Sequence, residues 1–465
     1  MTGSSSASAD SAPDPVSAPE PPDDGIALEP PASLPRPARS TRSAQRRPSR
    51  RTVLRAAGAG GAALLVGAGA VGARGAANGV WNAGQGAPYE LWESWREADG
   101  LDRLVAAATL AANPHNIQPW SFTVGEGTID LCADPQRAMP VNDPDGRERA
   151  AGYGCAIENL TLAARYDGYR ARVALWPDGG PGVSGPDSAD GIDGTARAED
   201  TDRADRVAHI VIDTAAPPSE RERSLVEAIA TRRSNRGPYS PQDLDENLLA
   251  SLTEDVPVDS GTATAELVWV TEAAAMSALA SLYVDATQEI ADDAEMSAEA
   301  FSWFRGDRAG IERHRDGLTL DGQGLDGPTL AAAKILPAQS RESGDSFWVK
   351  RTREVHTATA RAWGVIRVPD VADPWARIAG GRLLQRTHLA ATVAGLGLHH
   401  MNQVSERIAR RAALGDEDPL SSRWVEATGV PAGESLLAFR VGYPEHDAVR
   451  SPRRALDDVR RPVRT

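Results

Sequence analysis

The chain has 465 residues, of which 41% are apolar, so its size allows about two or three domains with a sizeable core. The formal net charge of −15 argues against a nucleic-acid partner, which would require clustered cations on one face. Cys132 and Cys155, the two cysteines, provide neither a disulfide framework nor a zinc ligand set. The cysteine content therefore does not indicate whether the protein resides in a reducing or an oxidising compartment.

The N-terminal region is predicted to lie outside the globular part. Residues 1–48 are low in complexity and are expected to be disordered, because a Ser/Ala/Pro/Asp-rich stretch cannot bury enough apolar surface to fold. Within residues 49–79, the run SRRTVLR from Ser49 resembles a twin-arginine export signal, and an uncharged Gly/Ala-rich stretch follows it. A membrane anchor is the alternative, since about 18 apolar residues approach the length that spans a bilayer. We expect export or attachment to the cell envelope, with a cytoplasmic location as the alternative.

Residues 80–215 are predicted to form a first globular half. Helical spacing of apolar residues predicts helices at 101–108 and 148–166. Alternation predicts two short strands around Gly125 and Gly127, and further strands are expected at 170–176 and 207–212. The Gly/Asp/Ser-rich residues 179–205 indicate a long surface loop.

Residues 216–465 are predicted to form a second half. Its expected helices are 223–230, 241–252 and 383–398, and its expected strands are 265–270 and 436–441. Residues 295–350 show no clean periodicity and carry the aromatic pair Phe347-Trp348. A long segment of this kind favours a lid over an active site rather than a core element.

The two halves contain a possible internal repeat. Residues 148–168 and 381–397 both read as buried helices with small residues at every third or fourth position, and both end in glycine. This pattern favours a duplicated domain. Chance is the alternative, because alanine-rich helices resemble one another.

Three stretches carry a resemblance to a known family. HNIQPW at 115–120, RRSNR at 232–236 and VGYPEHDAVRSPRR at 441–454 occur in this order. Together they resemble signature segments of the nitroreductase family of FMN-dependent oxidoreductases, most closely an actinobacterial branch with two fused halves. The resemblance implies an α+β, nitroreductase-like three-layer fold, duplicated in one chain, with antiparallel sheets and surrounding helices.

The resemblance also implies how one flavin is shared between the halves. The turn at 112–120 occurs only in the first half, and the arginine segments occur only in the second. Residues 255–263 lack the turn motif, and residues 90–100 contain a single arginine, Arg96. We therefore expect a monomeric pseudo-dimer that holds one FMN where a true dimer would hold two.

The residues expected at the cofactor follow from the chemistry of FMN. Guanidinium and hydroxyl groups suit its phosphate, and side-chain amides suit the edge of its ring. The resemblance assigns these roles to Arg232, Arg233, Ser234 and Arg236, to Asn113, His115, Asn116 and Gln118, and to Gly442, Tyr443, Pro444, Arg450, Arg453 and Arg454. Asn113 stands where the family pattern has a serine.

Structural roles compete with each of these assignments. The arginines of 232–236 could be a solvated helix end, and those near the C-terminus could be a charged tail. Asn116 and Gln118 could satisfy buried backbone groups, His115 could act as a cap, and Trp120 is expected to be a core residue. His399 and His400 are expected on a helix, where neighbours diverge, so no metal site is predicted.

The implied function is an NAD(P)H-dependent FMN oxidoreductase that passes hydride through the flavin to a nitro, quinone or enone acceptor. The cofactor supplies that chemistry, so no catalytic side chain is predicted. The alternative function is an FMN-binding protein for storage or sequestration with little turnover, because the lid segment could cover the ring. A structural protein of the cell envelope would bind no flavin.

Overall fold

The computed structural model describes residues 72–177, 205–253, 264–337 and 340–462. The predicted disordered region, the twin-arginine-type run and residues 179–204 of the predicted loop lie outside these ranges. The strands are β1 (Trp120–Val124), β2 (Thr128–Ala133), β3 (Tyr169–Leu175), β4 (Arg206–Thr214), β5 (Glu266–Val270), β6 (Phe304–Arg305), β7 (Leu318–Thr319), β8 (Ala362–Arg367), β9 (Gly397–His400), β10 (Ser435–Gly442) and β11 (Arg460–Arg461).

The helices of the described residues range from single turns to long core helices. They are α1 (Leu91–Ser94), α2 (Leu101–Thr109), α3 (Arg147–Tyr166), α4 (Glu220–Ile229), α5 (Glu246–Ser251), α6 (Ala273–Asp292), α7 (Ala294–Ser302), α8 (Arg308–His314), α9 (Gly327–Ile335), α10 (Arg341–Arg351), α11 (Pro374–Val393), α12 (Gln403–Leu414), α13 (Leu420–Thr428) and α14 (Leu456–Val459). None of them has the length and apolar character needed to cross a lipid bilayer.

The first sheet contains four strands of the first half and the last strand of the second half. Its strand order is β11-β1-β2-β4-β3, and every neighbouring pair is antiparallel except β11 and β1, which are parallel. Phe122 of β1 lies opposite Arg460 of β11. The last strand of the second half therefore completes the sheet of the first half and anchors the C-terminal segment beside the 112–120 turn.

The second sheet is antiparallel throughout, with strand order β5-β8-β10-β9. Side chains of β8 alternate between two cores, as the period of a strand requires. Ala362 and Ile366 pack in the larger core, whereas Trp363 and Val365 pack in the smaller one under α6 and α13. There the Trp363 ring stacks on Tyr283 at a centroid distance of 4.5 Å.

Two helices of 20 residues each, α3 and α11, form the centre of the molecule. Glycine allows their backbones to touch: a Cβ on Gly381 would lie 2.0 Å from the carbonyl oxygen of Ala151. Polar bonds cross the same contact, since Gln385 Nε2 donates to Asn159 Oδ1 at 2.8 Å. One such helix from each half agrees with a duplicated domain, although the duplication itself stays a prediction.

The structure shows an α+β fold and corrects several boundaries. The helix expected at 241–252 is shorter because Asp245 caps the backbone N–H groups of Asn247 and Leu248 and so fixes the start of α5. The helix expected at 383–398 is shifted to α11, since Asp373 and Pro374 begin it and Gly395, with φ of 72°, follows its end. Helices α6, α12 and α13 and strand β8 were not predicted from the sequence pattern.

The predicted lid at 295–350 is helical rather than irregular. Helices α7 to α10 and the short parallel pair of β6 and β7 occupy it. Short helices and polar loops gave no continuous period, so the sequence pattern hid them. Two of the caps are visible as Asp293 and Asp307, whose side chains accept from backbone N–H groups at the starts of α7 and α8.

Candidate functional site

A cavity of about 870 Å³ lies between the halves, within the size range of small-molecule sites. The 112–120 turn and α3 contribute walls from the first half. The 232–236 segment, the C-terminal segment at Arg453 and the lid contribute walls from the second. Each half therefore supplies groups that the other lacks.

Three arginines surround one indole at one end of this cavity, which we call the basic end. The guanidinium carbons of Arg233, Arg453 and Arg232 lie 4.3, 4.8 and 5.7 Å from the ring centroid of Trp92. Such distances allow cation–π attraction. The Trp92 indole N–H donates to the carbonyl of Ser451 at 2.8 Å, which fixes the ring against the C-terminal segment.

These arginines have no anionic partner in the part of the chain that the structure describes. Together with Arg236 they form no ion pair with any carboxylate in the described residues, and their partners there are carbonyls and neutral side chains. Burial lowers the pKa of Arg232 to about 10, and burial with the charge of Arg232 lowers that of Arg233 to about 9. Uncompensated buried cations are costly, so the basic end is built for an anion.

Two guanidinium donors in this cluster are also unused. Nε of Arg232 and Nε of Arg453 are buried and find no hydrogen-bond acceptor among the described residues. Both side chains are 3% exposed, so bulk water does not satisfy them. A phosphate offers the several acceptor oxygens that such donors require.

The 112–120 turn has a strained backbone. His115, Asn116 and Gln118 have φ values of 44°, 56° and 51°, in the left-handed region that non-glycine residues seldom occupy. Asn113 supports this shape, since its Oδ1 accepts from the backbone N–H of Gln118 at 2.8 Å. Strain held by dedicated hydrogen bonds is typical of a functional turn.

The amides of the turn bind protein rather than open space. Asn116 Nδ2 donates to the carbonyls of Pro452 at 2.9 Å and Gly317 at 3.2 Å, and its Oδ1 accepts from Arg453. Gln118 Nε2 donates to the carbonyl of Arg315 at 2.9 Å, and its Oε1 accepts from the N–H of Arg454. The alternative in which these amides satisfy the backbone therefore describes their present contacts, and they join the turn to the lid and the C-terminal segment.

Replacing Asn116 by Ala tests this junction. The change removes the acceptor of Arg453 and two bonds to backbone carbonyls, so we expect the free energy of unfolding to fall by about 1 to 3 kcal/mol. Urea unfolding measures the change. Asn247→Ala is the matched control, because Asn247 is exposed on α5; an equal loss in both variants would contradict the junction role.

The structure brings only part of the predicted set to the cavity. Its walls include Asn113, His115, Asn116, Arg232, Arg233, Ser234, Arg236 and Arg453. Burial and then the Arg236 charge lower the pKa of His115 to about 4, so its imidazole is neutral at pH 7. No cap is formed by the His115 side chain among the described residues.

The other predicted residues make contacts outside the cavity lining. A Cβ on Gly442 would lie 2.7 Å from the Tyr239 side chain, and Pro444 forms an antiparallel β-bridge with Tyr239. The carbonyl of Tyr443 accepts from the backbone N–H of Ser240 at 2.8 Å. Arg450 pairs with Glu93 at 2.6 Å near the surface, and Arg454 donates to the carbonyl of Trp120 at 3.2 Å. Trp120 is fully buried in the core, as expected. The described residues that line the cavity do not include Gln118, Gly442, Tyr443, Pro444, Arg450 and Arg454.

His399 and His400 line the cavity without adding charge, and His388 contacts both His400 and Arg232. Nε2 of His388 lies 3.0 Å from the carbonyl of Arg233 and must donate, so its Nδ1 accepts from Arg232 and from His400 Nε2 at 3.3 Å. Burial lowers the pKa of His400 to about 3. His399 and His400 lie on β9 rather than on the expected helix. In the described part of the chain, no three His, Cys, Asp or Glu side chains are grouped as metal ligands.

Sequence reasoning missed a pair of carboxyl groups at another part of the cavity, which we call the acidic end. Glu148 of α3 and Glu406 of α12 line the wall and hydrogen-bond to each other. Burial, with the charge of Asp143 and Glu299, raises the pKa of Glu406 to about 8. The sequence signal was weak, since each glutamate alone reads as a polar helix position.

The comparisons with known proteins agree with the resemblance found in the motifs. No family model matches the sequence. Two curated relatives, from Mycobacterium tuberculosis strains CDC 1551 and H37Rv, are provisionally named NAD(P)H nitroreductases and are each 29% identical over 91 residues. Each match covers 20% of this chain and 26% of the relative. This chain therefore spans about a quarter of the length of each curated relative.

Solved structures of nitroreductases also match about half of the chain. The FMN-dependent nitroreductase NfnB from Mycobacterium smegmatis, in complex with NADPH, is 21% identical and covers 51% of this chain and 97% of its own, with a TM-score of 0.34. A nitroreductase with bound FMN from Desulfitobacterium hafniense is 12% identical and covers 50% and 95%, with a TM-score of 0.32. The sequence similarity to proteins named as NAD(P)H nitroreductases thus extends along 20% of this chain.

Proposed function

We propose that the protein is an FMN-dependent oxidoreductase of the nitroreductase type, with FMN held between the two halves. The observation that carries this proposal is the basic end. Its buried guanidinium groups have no carboxylate partner within residues 72–177, 205–253, 264–337 and 340–462, and they lie around Trp92 in a cavity to which both halves contribute. The curated relatives named as NAD(P)H nitroreductases support the same class of reaction.

The residues present fit FMN. Its phosphate carries about two negative charges and can accept from Arg232, Arg236 and Arg453, whose cost of burial it would offset. Ser234 lines the same wall and can donate a hydroxyl. The cavity also has room for a ring system, because it is far larger than an ion requires.

The flavin, when bound, supplies hydride transfer between an NAD(P)H donor and a nitro, quinone or enone acceptor. The chain's own part is to bind, orient and exclude water. The turn holds Asn113 and His115 on the wall in fixed positions, and the neutral imidazole of His115 can form a hydrogen bond without placing a charge near the ring.

We further propose a single cofactor site in each chain, in a fused pseudo-dimer. The strained turn belongs to the first half, and Arg232 to the second. The C-terminal segment crosses to the first sheet through β11, so Arg453 is delivered to the turn by the second half. A molar ratio of about one flavin per chain is the expected result.

A second candidate function is storage or sequestration of FMN. The lid favours it, because aromatic and aliphatic lid residues such as Phe301, Phe347 and Trp348 line the cavity. The lid is also bonded to the first half: Glu299 accepts from the N–H of Asn142 at 2.7 Å, and Asp316 pairs with Arg137 at 2.8 Å. A cover held this firmly would slow the entry of a second substrate.

Spectroscopy and turnover separate these functions. Purified full-length protein should show flavin absorption, and mass spectrometry of the released ligand should identify FMN. Bleaching by NADPH followed by reoxidation with a nitroaromatic supports the oxidoreductase. A yellow protein inert to both supports storage, and colourless protein that takes up no FMN contradicts both.

Replacing Arg236 by Ala tests the phosphate assignment. Removing one charged hydrogen bond should weaken FMN binding by about 1.5 to 3 kcal/mol, or roughly 10- to 100-fold in Kd. Fluorescence titration of the apoprotein with FMN measures it. Arg313→Ala is the control, since Arg313 is exposed on α8. Full flavin affinity in Arg236→Ala would remove Arg236 from the phosphate site.

We also propose that the protein is exported or attached to the cell envelope through residues 49–79. The support is the charge and apolar pattern of that segment, most of which lies outside the described residues. Fractionation of cells and N-terminal sequencing of the mature protein test this proposal. They also show whether the segment is cleaved or retained as an anchor.

A further inference from the structure

The acidic end of the cavity has two carboxyl groups that no cation of the described residues compensates. Glu148 and Glu406 come from different halves and hydrogen-bond to each other, and neither pairs with a cation in the described residues. Glu148 is 6% exposed, and Glu406 is half-buried. Two carboxyl groups that share a hydrogen bond hold at most one negative charge between them until an external cation arrives.

The neighbours of the pair increase its negative potential. Asp143 accepts from the backbone N–H groups of Glu148 at 3.0 Å and Arg149 at 2.9 Å. Glu299 accepts from the backbone N–H of Asn142 at 2.7 Å. Arg149 also acts on Asp143 through its charge, as Asp145 does with the opposite sign.

An independent observation indicates that a donor is needed here. The Oε1 atom of Gln403 is buried without a hydrogen-bond donor, and the side chain is 6% exposed and lines the same cavity. Asn402 does not fill this need, because its Oδ1 accepts from the N–H of Ala438 at 3.1 Å and its Nδ2 faces the Glu148 carboxyl. Among the described residues, no donor reaches Oε1 of Gln403.

The acidic and basic ends are separate places along one wall. Glu148, Gly152 and Cys155 line the cavity from a single face of α3, and the Cys155 thiol interacts electrostatically with Arg232. Glu148 and Cys155 are seven positions apart, which corresponds to about 10.5 Å along a helix. A cofactor phosphate at the basic end therefore leaves the acidic end for another group.

We propose that the acidic end binds a primary ammonium group of the electron acceptor. An ammonium has three N–H donors, which match the carboxyl groups of Glu148 and Glu406 and the Oε1 of Gln403. Binding releases the shared proton to solvent and leaves both carboxylates ionised around the cation. This assignment rests on the proposed function, because it names the substrate class of the same cavity.

The test compares matched nitroaromatic probes on full-length, flavin-loaded protein. 2-(4-Nitrophenyl)ethylammonium has the cation, and 2-(4-nitrophenyl)ethanol is its neutral counterpart. Equilibrium dialysis should show at least about 10-fold tighter binding of the ammonium at about pH 8.5. The preference should shrink as the pH falls to about 6, since the pKa of Glu406 near 8 means that protons then compete with the cation.

Three variants test which side chains cause the preference for the ammonium probe. Glu406→Gln keeps the shape of the side chain and should abolish most of the ammonium preference and its pH dependence. Gln403→Met should reduce the preference while keeping the pH dependence. Glu426→Gln, on the exposed face of α13, should change neither.

Two failures are distinguishable. Equal binding of the two probes, or an unchanged preference in Glu406→Gln, overturns the ammonium site while leaving the flavin proposal intact. Ammonium-selective binding without any flavin reduction by NADPH overturns the oxidoreductase function but leaves the site standing.

Discussion

Gly381→Ala should destabilise the protein more than any other single methyl group added to its centre. The new Cβ would lie 2.0 Å from the carbonyl oxygen of Ala151 and 2.7 Å from its carbonyl carbon and its Cα. Those atoms belong to the backbone of α3, so no rotamer change can relieve the contact. Overpacking of a closely packed contact costs about 1 to 3 kcal/mol and occasionally more, and we expect the upper part of this range or beyond.

The same change should reach the candidate site. Gln385, one turn after Gly381 on α11, accepts from the backbone N–H of Ala112 at 3.1 Å, where the 112–120 turn begins. The Cys155 thiol, which lines the cavity, lies 3.2 Å from the carbonyl of Gly381. Moving the helices apart should therefore lower the affinity for FMN as well as the stability.

Gly433→Ala is the matched control for this prediction. Gly433 is exposed away from the cavity lining, and a Cβ there would meet no atom within 4 Å. Replacing glycine by alanine where the backbone allows it stabilises a protein by about 0.4 to 1 kcal/mol, so the control should be neutral or stabilising. Urea unfolding and FMN titration of both variants decide the matter. If Gly381→Ala unfolds at the urea concentration of the unmodified protein, the helices do not touch in solution.

The sequence predicted the elements whose periodicity is long and regular. Helix α3 and strands β1 to β5 agree with the expected positions, because alternation or helical spacing runs along each of them. Helix α6 was missed although it has 20 residues, since alanines on several faces blur its amphipathic pattern. Strand β11 could not be predicted, because Arg460 and Arg461 become a strand only by pairing with β1.

The site residues that stand in short sequence motifs could be predicted. Those that meet only through tertiary contacts could not. Arg232 and Arg453 stand in recognisable motifs, and the structure brings them to one indole. Trp92 stands in a stretch that was read only for its lone arginine, and nothing in sequence spacing connects it with Arg453. The pairing of Glu148 with Glu406 was equally hidden, because it depends on how α3 and α12 meet.

The carboxyl pair makes a second large prediction: the free energy of unfolding should fall as the pH rises from about 4.5 to about 8. Burial raises the pKa of Glu406 from 4.5 to about 8 and raises that of Glu148 as well. In this range the folded protein holds a proton that the unfolded chain has released. Stability is therefore greatest below the unfolded pKa and is lost as the pH passes through the folded value.

Urea unfolding of the unmodified protein and of Glu406→Gln between about pH 5 and about pH 9 tests this prediction. A pKa difference of this size corresponds to several kcal/mol, because each pKa unit is worth about 1.4 kcal/mol. Glutamine cannot titrate, so the part of the slope that Glu406 contributes should disappear in Glu406→Gln, whereas Glu148 should keep its own part because burial raises its pKa as well. Glu426→Gln should retain the whole slope. A slope in Glu406→Gln equal to that of the unmodified protein would mean that Glu406 is ionised in the folded protein at neutral pH.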